Sequence, residues 1–311
     1  MMLTSLWQRG RTIWDKPQSR RIIVGGMLAA ALAVILITIV RDWRSLVTYD
    51  WQFDAVYLGL SSVAYTGSLA VAVIAWGVVM SALNVRVGWR DHGRFFLYSW
   101  MARRLPTPAP FVASRVLLYE QVGVARRMTL LGMLWEQILL IASGGLLVVM
   151  LFPLTPLLNG NIPLLPVALV ALVSLVVAVR PMLLVRLLNL ILKRWKREPL
   201  TQFLGLPATL LVVGLHMLVW LSGGLILFFL VRSIYLIEWS MLPVLVQIWV
   251  ASGLVGALSF LIPIGFSFRD LSMVVLLTLI VPLSVALIIA LLMRVWITLN
   301  ELFWALVFSR W

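Results

Sequence analysis

Residues 128–151 read MTLLGMLWEQILLIASGGLLVVML, 24 residues with one charge, Glu136, in an otherwise apolar run. A run of this length and composition is read as a membrane-crossing helix, because about 20 apolar residues at 1.5 Å each match the hydrocarbon thickness. Similar runs lie at Ile22–Val40, Val56–Leu83, Pro163–Val179, Ala208–Val231, Leu242–Ile262 and Leu271–Met293. Pro163–Val179 is short alone but continues helically through Arg186 toward Leu192. The expected fold is therefore all-α, a polytopic integral membrane helical bundle of about seven or eight segments. Residues 1–21 would form an N-terminal segment outside the membrane and 22–311 a single transmembrane domain.

Composition agrees. Of 311 residues, 63% are apolar and 12% charged, against roughly 45–50% and 25% in soluble domains. The chain has no cysteine and two histidines, His92 and His216, so thiol catalysis and thiolate metal sites are excluded and a histidine metal centre is not expected. No phosphate-binding Gly-x-x-x-x-Gly-Lys-Ser/Thr motif occurs, and no cofactor is expected.

The formal net charge of +14 is distributed by topology. Residues 1–21, 83–127 and 180–199 hold five, eight and six cations, which is 19 of the 25. The intervening loops 41–54, 152–162 and 232–241 hold three basic and four acidic residues. An excess of Lys and Arg marks cytoplasmic loops, so the N-terminus is expected in the cytoplasm. The long charged leader and the absence of a small-x-small site after Val40 argue for a retained anchor rather than a cleaved signal. Nucleic acid is not an expected partner. Tryptophans at the run boundaries, such as Trp43, Trp89, Trp195 and Trp296, read as an interfacial belt.

An eighth segment, Phe95–Tyr119, is interrupted by Pro106, Pro108 and Pro110. The loop charges alternate correctly only if this segment enters and leaves on one side, so it is expected to be re-entrant. A second break, Pro263-Ile264-Gly265, precedes Phe268 and Arg269. Each break is followed by a phenylalanine and then an arginine, Arg115 or Arg269. Paired broken helices point to a transporter binding site.

Charge within an apolar run costs about 2.5–3.5 kcal/mol on insertion scales, so it requires a partner or a purpose. Arg115 and Arg269 are the candidate binders of an anionic lipid head group, because the guanidinium fork donates two hydrogen bonds to phosphate. Glu136, Asp270 and Glu120 are the candidate charge partners. For Glu136 the competing reading is an ion pair that locks the bundle; for Arg269 and Asp270 it is a plain turn. Ser61, Tyr65 and Ser68 share one helix face and, with His216, are candidates for a cavity wall. Packing is the stronger reading for these and for Ser222-Gly223-Gly224, Ser252/Gly256 and Gly253/Ala257, whose small residues allow close helix contact.

These residues resemble a family, the transmembrane domain of lysylphosphatidylglycerol synthases and its stand-alone flippase-like relatives. The likeness rests on Phe95-Phe96-Leu97-Tyr98, Pro106/Pro108, Ser114-Arg115, Gly123 and Glu136. It continues in Pro263-Ile264-Gly265-Phe266-Ser267-Phe268-Arg269-Asp270, with Arg294 in the last run. Two glycines of the family's C-terminal motif are Ile264 and Ser267 here, and Asp270 replaces a glutamate. The resemblance implies a protein of the prokaryotic cytoplasmic membrane that binds or moves an anionic phospholipid or polyprenyl-phosphate-linked glycan. It implies no aminoacyltransferase, since no such soluble domain is present in these 311 residues. A cell-envelope glycosyltransferase or lipid synthase is the candidate partner, and membrane lipid the candidate ligand.

Two other functions are weighed. A polyprenol-phosphate-dependent glycosyltransferase would use an acid of the first outward loop, Asp42, Asp50 or Asp54, but that loop is short and its acids are not adjacent. A non-transporting scaffold subunit needs none of the charged residues. The expectation is a non-enzymatic lipid-binding or lipid-moving protein.

Overall fold

The structure, a computed structural model, describes residues 53–102, 109–155, 164–194, 199, 203–259 and 268–309. The expected anchor Ile22–Val40, the segment 1–21, Asp42, Asp50, Pro106, Pro108 and Pro263–Ser267 lie outside the described residues. Ten α-helices and no strand occur among the described residues: α1 Ala55–Ala82, α2 Trp89–Met101, α3 Ala109–Gln121, α4 Arg126–Leu151, α5 Leu164–Val179, α6 Pro181–Arg194, α7 Leu206–Ile234, α8 Leu242–Ser259, α9 Phe268–Leu277 and α10 Leu283–Ser309. Five stretches are long and apolar enough to cross a membrane: α1, α4 with its terminal turn, α7, α8 with the turn before it, and α10. The protein is a helical bundle of integral-membrane type.

Local chemistry sets the helix ends. Asp54 caps α1, its carboxylate accepting from the Val56 amide at 2.8 Å. Asn84 closes α1 in the left-handed region, at φ 61°, a conformation asparagine tolerates better than most residues. Gly123, at φ 81°, makes the turn from α3 to α4. The expected continuation of the fourth run is observed. The Arg180 amide donates to Val176 at 2.8 Å and the Leu183 amide to Arg180 at 2.9 Å, so helical bonding passes around Pro181 from α5 into α6.

The last run differs from its sequence reading. Leu271–Met293 is not one helix, because α9 ends at Leu277 and α10 begins at Leu283. Pro282 lacks the amide hydrogen needed to continue α9 and opens α10 instead. The final helix then extends sixteen residues past Met293, to Ser309.

The bundle has one strongly basic end. The connection after α1, α2, the start of α4 and α6 expose Arg86, Arg90, Arg94, Arg126, Arg127, Arg186, Lys193 and Arg194. Helices α1 and α7 form its most extensive pair, fastened where the Ser61 hydroxyl donates to the Ile226 carbonyl at 3.2 Å. The Trp220 indole donates to the Leu140 carbonyl at 3.0 Å and lies against Gly144 of α4 and Gly253 of α8. The Trp249 ring lies against Gly223 of α7, and Gly224 meets Val246. The small-residue motifs are thus seats for bulky side chains of neighbouring helices, the packing reading of the sequence.

Two helical hairpins enter this frame from opposite ends. Trp89 of α2 covers Gly77, and Gly93 faces Val73, so α2 runs from the basic end back along α1. On α3, Arg115 reaches Ser99 of α2 while Tyr119 reaches His92. The two helices are therefore antiparallel, and the segment enters and leaves at the same end, as the loop charges require. From the other end, α8 runs inward, and Arg269 at the start of α9 lies beside Gly256. Helix α9 packs back along α8. Its ten residues span about 15 Å, so from beside Gly256, inside the bundle, it runs back toward the end from which α8 came without reaching it.

Candidate functional site

Arg115 sits inside the first hairpin with no exposed surface. Its Nη1 donates to Glu136 Oε2 at 2.6 Å and its Nε to Ser99 Oγ at 2.9 Å. Ser99 in turn donates to the Phe96 carbonyl at 2.9 Å, which fixes its oxygen lone pairs toward the guanidinium. Three rings enclose the cation, those of Trp76, Phe96 and Phe111, at 4.4, 4.7 and 4.8 Å from the guanidinium carbon. Ring faces attract a desolvated cation electrostatically, offsetting part of the burial penalty. Glu136 keeps 14% of its side-chain surface exposed. Arg115 Nη2 is buried and has no hydrogen-bond acceptor among the described residues. Glu136, read from sequence as either a functional acid or the ion-pair partner of an unspecified arginine, is paired here with Arg115.

A second buried layer lies beside it. The Trp76 indole donates to the Tyr119 hydroxyl at 2.6 Å, and that hydroxyl is 2.5 Å from His92 Nδ1. An indole N–H only donates. The tyrosine oxygen therefore accepts from Trp76, and the direction of its bond with His92 Nδ1 is set by the imidazole tautomer. Tyr119→Phe deletes one oxygen and orphans two buried partners. It is expected to lower unfolding free energy by about 1–3 kcal/mol, measured by thermal melting of detergent-solubilised protein. An unchanged melting temperature would remove this layer from the hairpin's support.

The other sequence candidates are placed as follows. Glu120 pairs with Arg126 at 2.8 Å on the exposed surface rather than with Arg115. The Arg269 guanidinium lies 4.0 Å from the centre of the Trp249 ring. Its backbone is pressed so close to Gly256 that a Cβ there would approach Arg269 Cβ to 2.9 Å. Asp270 faces Arg294 of α10 at 3.7 Å, a looser pair than Arg115–Glu136, with 27% and 57% of the side chains exposed. Asp270 and Arg294 thus join the second hairpin to the last helix. The rings around Arg115 come from α1, α2 and α3, whereas the ring under Arg269 comes from α8; the structure places the two arginines in separate aromatic settings.

Ser61 and Tyr65 are buried and Ser68 half-buried, with Ser61 committed to the α1–α7 contact. His216 is buried on α7, and its Nδ1 has no partner among the described residues. Asp54, the one described acid of loop 41–54, is occupied as the α1 cap.

Several residues escaped the sequence reading. Trp76, His92 and Tyr119 carry the second layer, and the only signal was the i, i+4 spacing of Arg115 and Tyr119, which puts both on one face. Asn300 and Glu301 are buried on α10. They lie beyond Met293, past the end of the last apolar run in the sequence. Among the described residues no group of three or more His, Asp or Glu side chains is arranged to hold a metal.

Scans against protein-family models and against curated proteins find no match to this chain.

Proposed function

We propose that this protein is a flippase-like membrane protein that binds the head group of an anionic lipid and carries it across the bilayer. One observation carries the reading: two helical hairpins enter from opposite ends, and each places an arginine against a tryptophan just after its break. Opposed, discontinuous helices around a central site are the architecture of alternating access. The basic end faces the cytoplasm of a prokaryotic cell, by the distribution of Lys and Arg, and the N-terminus lies on that side.

Residue roles follow from the differences between the two hairpins. Arg269 stands at the start of a helix that begins inside the bundle, where the helix dipole also favours an anion. Asp270, its neighbour in sequence, pairs with Arg294 at 3.7 Å, and Arg294 would be the second cation of this site. Arg115 receives a phosphate only when the first hairpin loosens, because the anion must displace Glu136 from the guanidinium. The lipid would thus be held by one arginine set while the other is closed by its own carboxylate. A cell-envelope glycosyltransferase or lipid synthase would supply or consume the lipid.

The test is reconstitution into liposomes carrying a fluorescent anionic phospholipid or polyprenyl phosphate, with the outer leaflet quenched chemically. Wild-type protein is expected to bring inner-leaflet probe to the quencher. Arg269→Ala is expected to reduce that rate to the protein-free level while leaving the melting temperature near wild type. Wild-type protein that neither moves nor binds any such lipid overturns the proposal, and full transport by Arg269→Ala overturns the site.

A further inference from the structure

We infer that the outward face of α6 is a binding strip for the head group of an anionic phospholipid of the surrounding bilayer, separate from both hairpin arginines. The argument begins with depth. Gly145 of α4 faces Ser174 and Val170 of α5, and Gly145 lies 19 residues, about 28 Å, along α4 from Arg126 at the basic end. Helix α5 returns toward that end and is followed by α6 after a break at Arg180, spanned by the Leu183 amide donating to the Arg180 carbonyl. Arg186 is 12 residues beyond Ser174, so it lies about 10 Å inside the level of Arg126, and Lys193 lies at about that level. The Arg127 guanidinium donates to the Pro199 carbonyl at 3.2 Å, which holds the chain after α6 at the start of α4.

Burial fixes which side faces out. Val185 is buried, in the cluster that also holds Leu204, Val212 and Val213. Arg186 and Lys193, seven residues apart, share another face and are exposed. Met182, Leu183 and Leu190 are exposed beside them, Leu190 by 65%. Helix α6 carries three cations, Arg186, Lys193 and Arg194, and no carboxylate.

An arginine about 10 Å inside the bundle end, on an apolar face, extends its guanidinium toward the head-group layer along its own alkyl chain. There its fork matches a phosphate in two hydrogen bonds, and Lys193 adds a second charge nearer the water. Leu183 and Leu190 offer a wall to acyl chains. A soluble anion could use the charges but not the wall, so the ligand is a lipid phosphate carrying net negative charge. The strip stands whether or not the protein translocates lipid.

The experiment is native mass spectrometry of the full-length protein in detergent, titrated with phosphatidylglycerol, with phosphatidylcholine and with soluble glycerol phosphate. Wild-type protein is expected to retain phosphatidylglycerol preferentially, with no competition from glycerol phosphate. Arg186→Gln with Lys193→Gln is expected to weaken that binding roughly thirtyfold, from two cations at an anionic surface. Arg269→Ala is expected to leave it intact. Unchanged binding by the double variant, equal retention of phosphatidylcholine, or loss through Arg269→Ala each overturns the strip. Should the double variant fail to fold, Arg186→Lys decides. It keeps the charge but loses the fork, and is expected to weaken binding several-fold; wild-type affinity overturns the proposal.

Discussion

Glu136→Ala is expected to be among the most damaging single substitutions in this protein, lowering unfolding free energy by about 3–5 kcal/mol. The reason is the state it leaves behind. An arginine side chain keeps its charge when buried; Arg115 has no exposed surface, and its Nη2 has no hydrogen-bond partner among the described residues. Without Glu136 it is a buried charge held by one serine and three rings. The same physics predicts that Arg115→Met combined with Glu136→Leu restores most of the loss, because replacing both members of a buried pair with apolar groups is far milder than removing one. Melting temperatures of the three proteins in one detergent test this. Glu120→Ala is the control: its partnership with Arg126 is on the surface, and no measurable change is expected. If Glu136→Ala melts with wild type, the pair does not hold the hairpin.

The second large effect is expected at Gly224. A Cβ on this residue would lie 2.6 Å from the Val246 Cα. The obstructing atom is backbone, so no side-chain rotation relieves it, and α7 and α8 must separate. Gly224→Val is expected to destabilise by about 3 kcal/mol or more, at or beyond the upper range for overpacking. Gly67→Ala on α1, where nothing lies within 4 Å of an added Cβ, is expected to be neutral or slightly stabilising, since alanine favours helix more than glycine does. Thermal unfolding and expression yield measure both. Equal behaviour of the two variants would mean that the α7–α8 interface tolerates a gap.

The contrast between these sites explains what could be read from the sequence. Helical class and five of the spans follow from hydropathy because the bilayer demands long apolar runs whatever the tertiary contacts. The return of the first hairpin to its own end followed from counting loop charges. The break at Pro282 was missed because a proline inside an apolar run reads alike as a tolerated kink or as a stop; tertiary packing decides. Glu136 was legible as anomalous because buried charge is expensive, but which arginine pairs with it was not, since pairing is decided by tertiary contact. Trp76, His92 and Tyr119 were not legible. An aromatic side chain in a membrane helix has an apolar explanation already, and only the fold shows that a tyrosine oxygen stands between an indole and an imidazole. Glu301 was hidden by the early end assigned to the last span.

The docking of α10 has a consequence for how the molecule is made. Phe308 lies 3.3 Å from where a Cβ of Gly93 would be, and the Trp304 indole donates to the Thr66 hydroxyl at 3.1 Å across 238 residues of chain. The face of α2 around Gly93 therefore waits uncovered in the membrane through most of translation. At about 5–20 residues per second, that interval is roughly ten to forty seconds. The first hairpin must persist through it on its contacts with α1 and α4, among them the Arg115–Glu136 pair, the tyrosine layer and the Trp89 ring over Gly77, a unit that stands on the ribosome before it becomes part of a bundle.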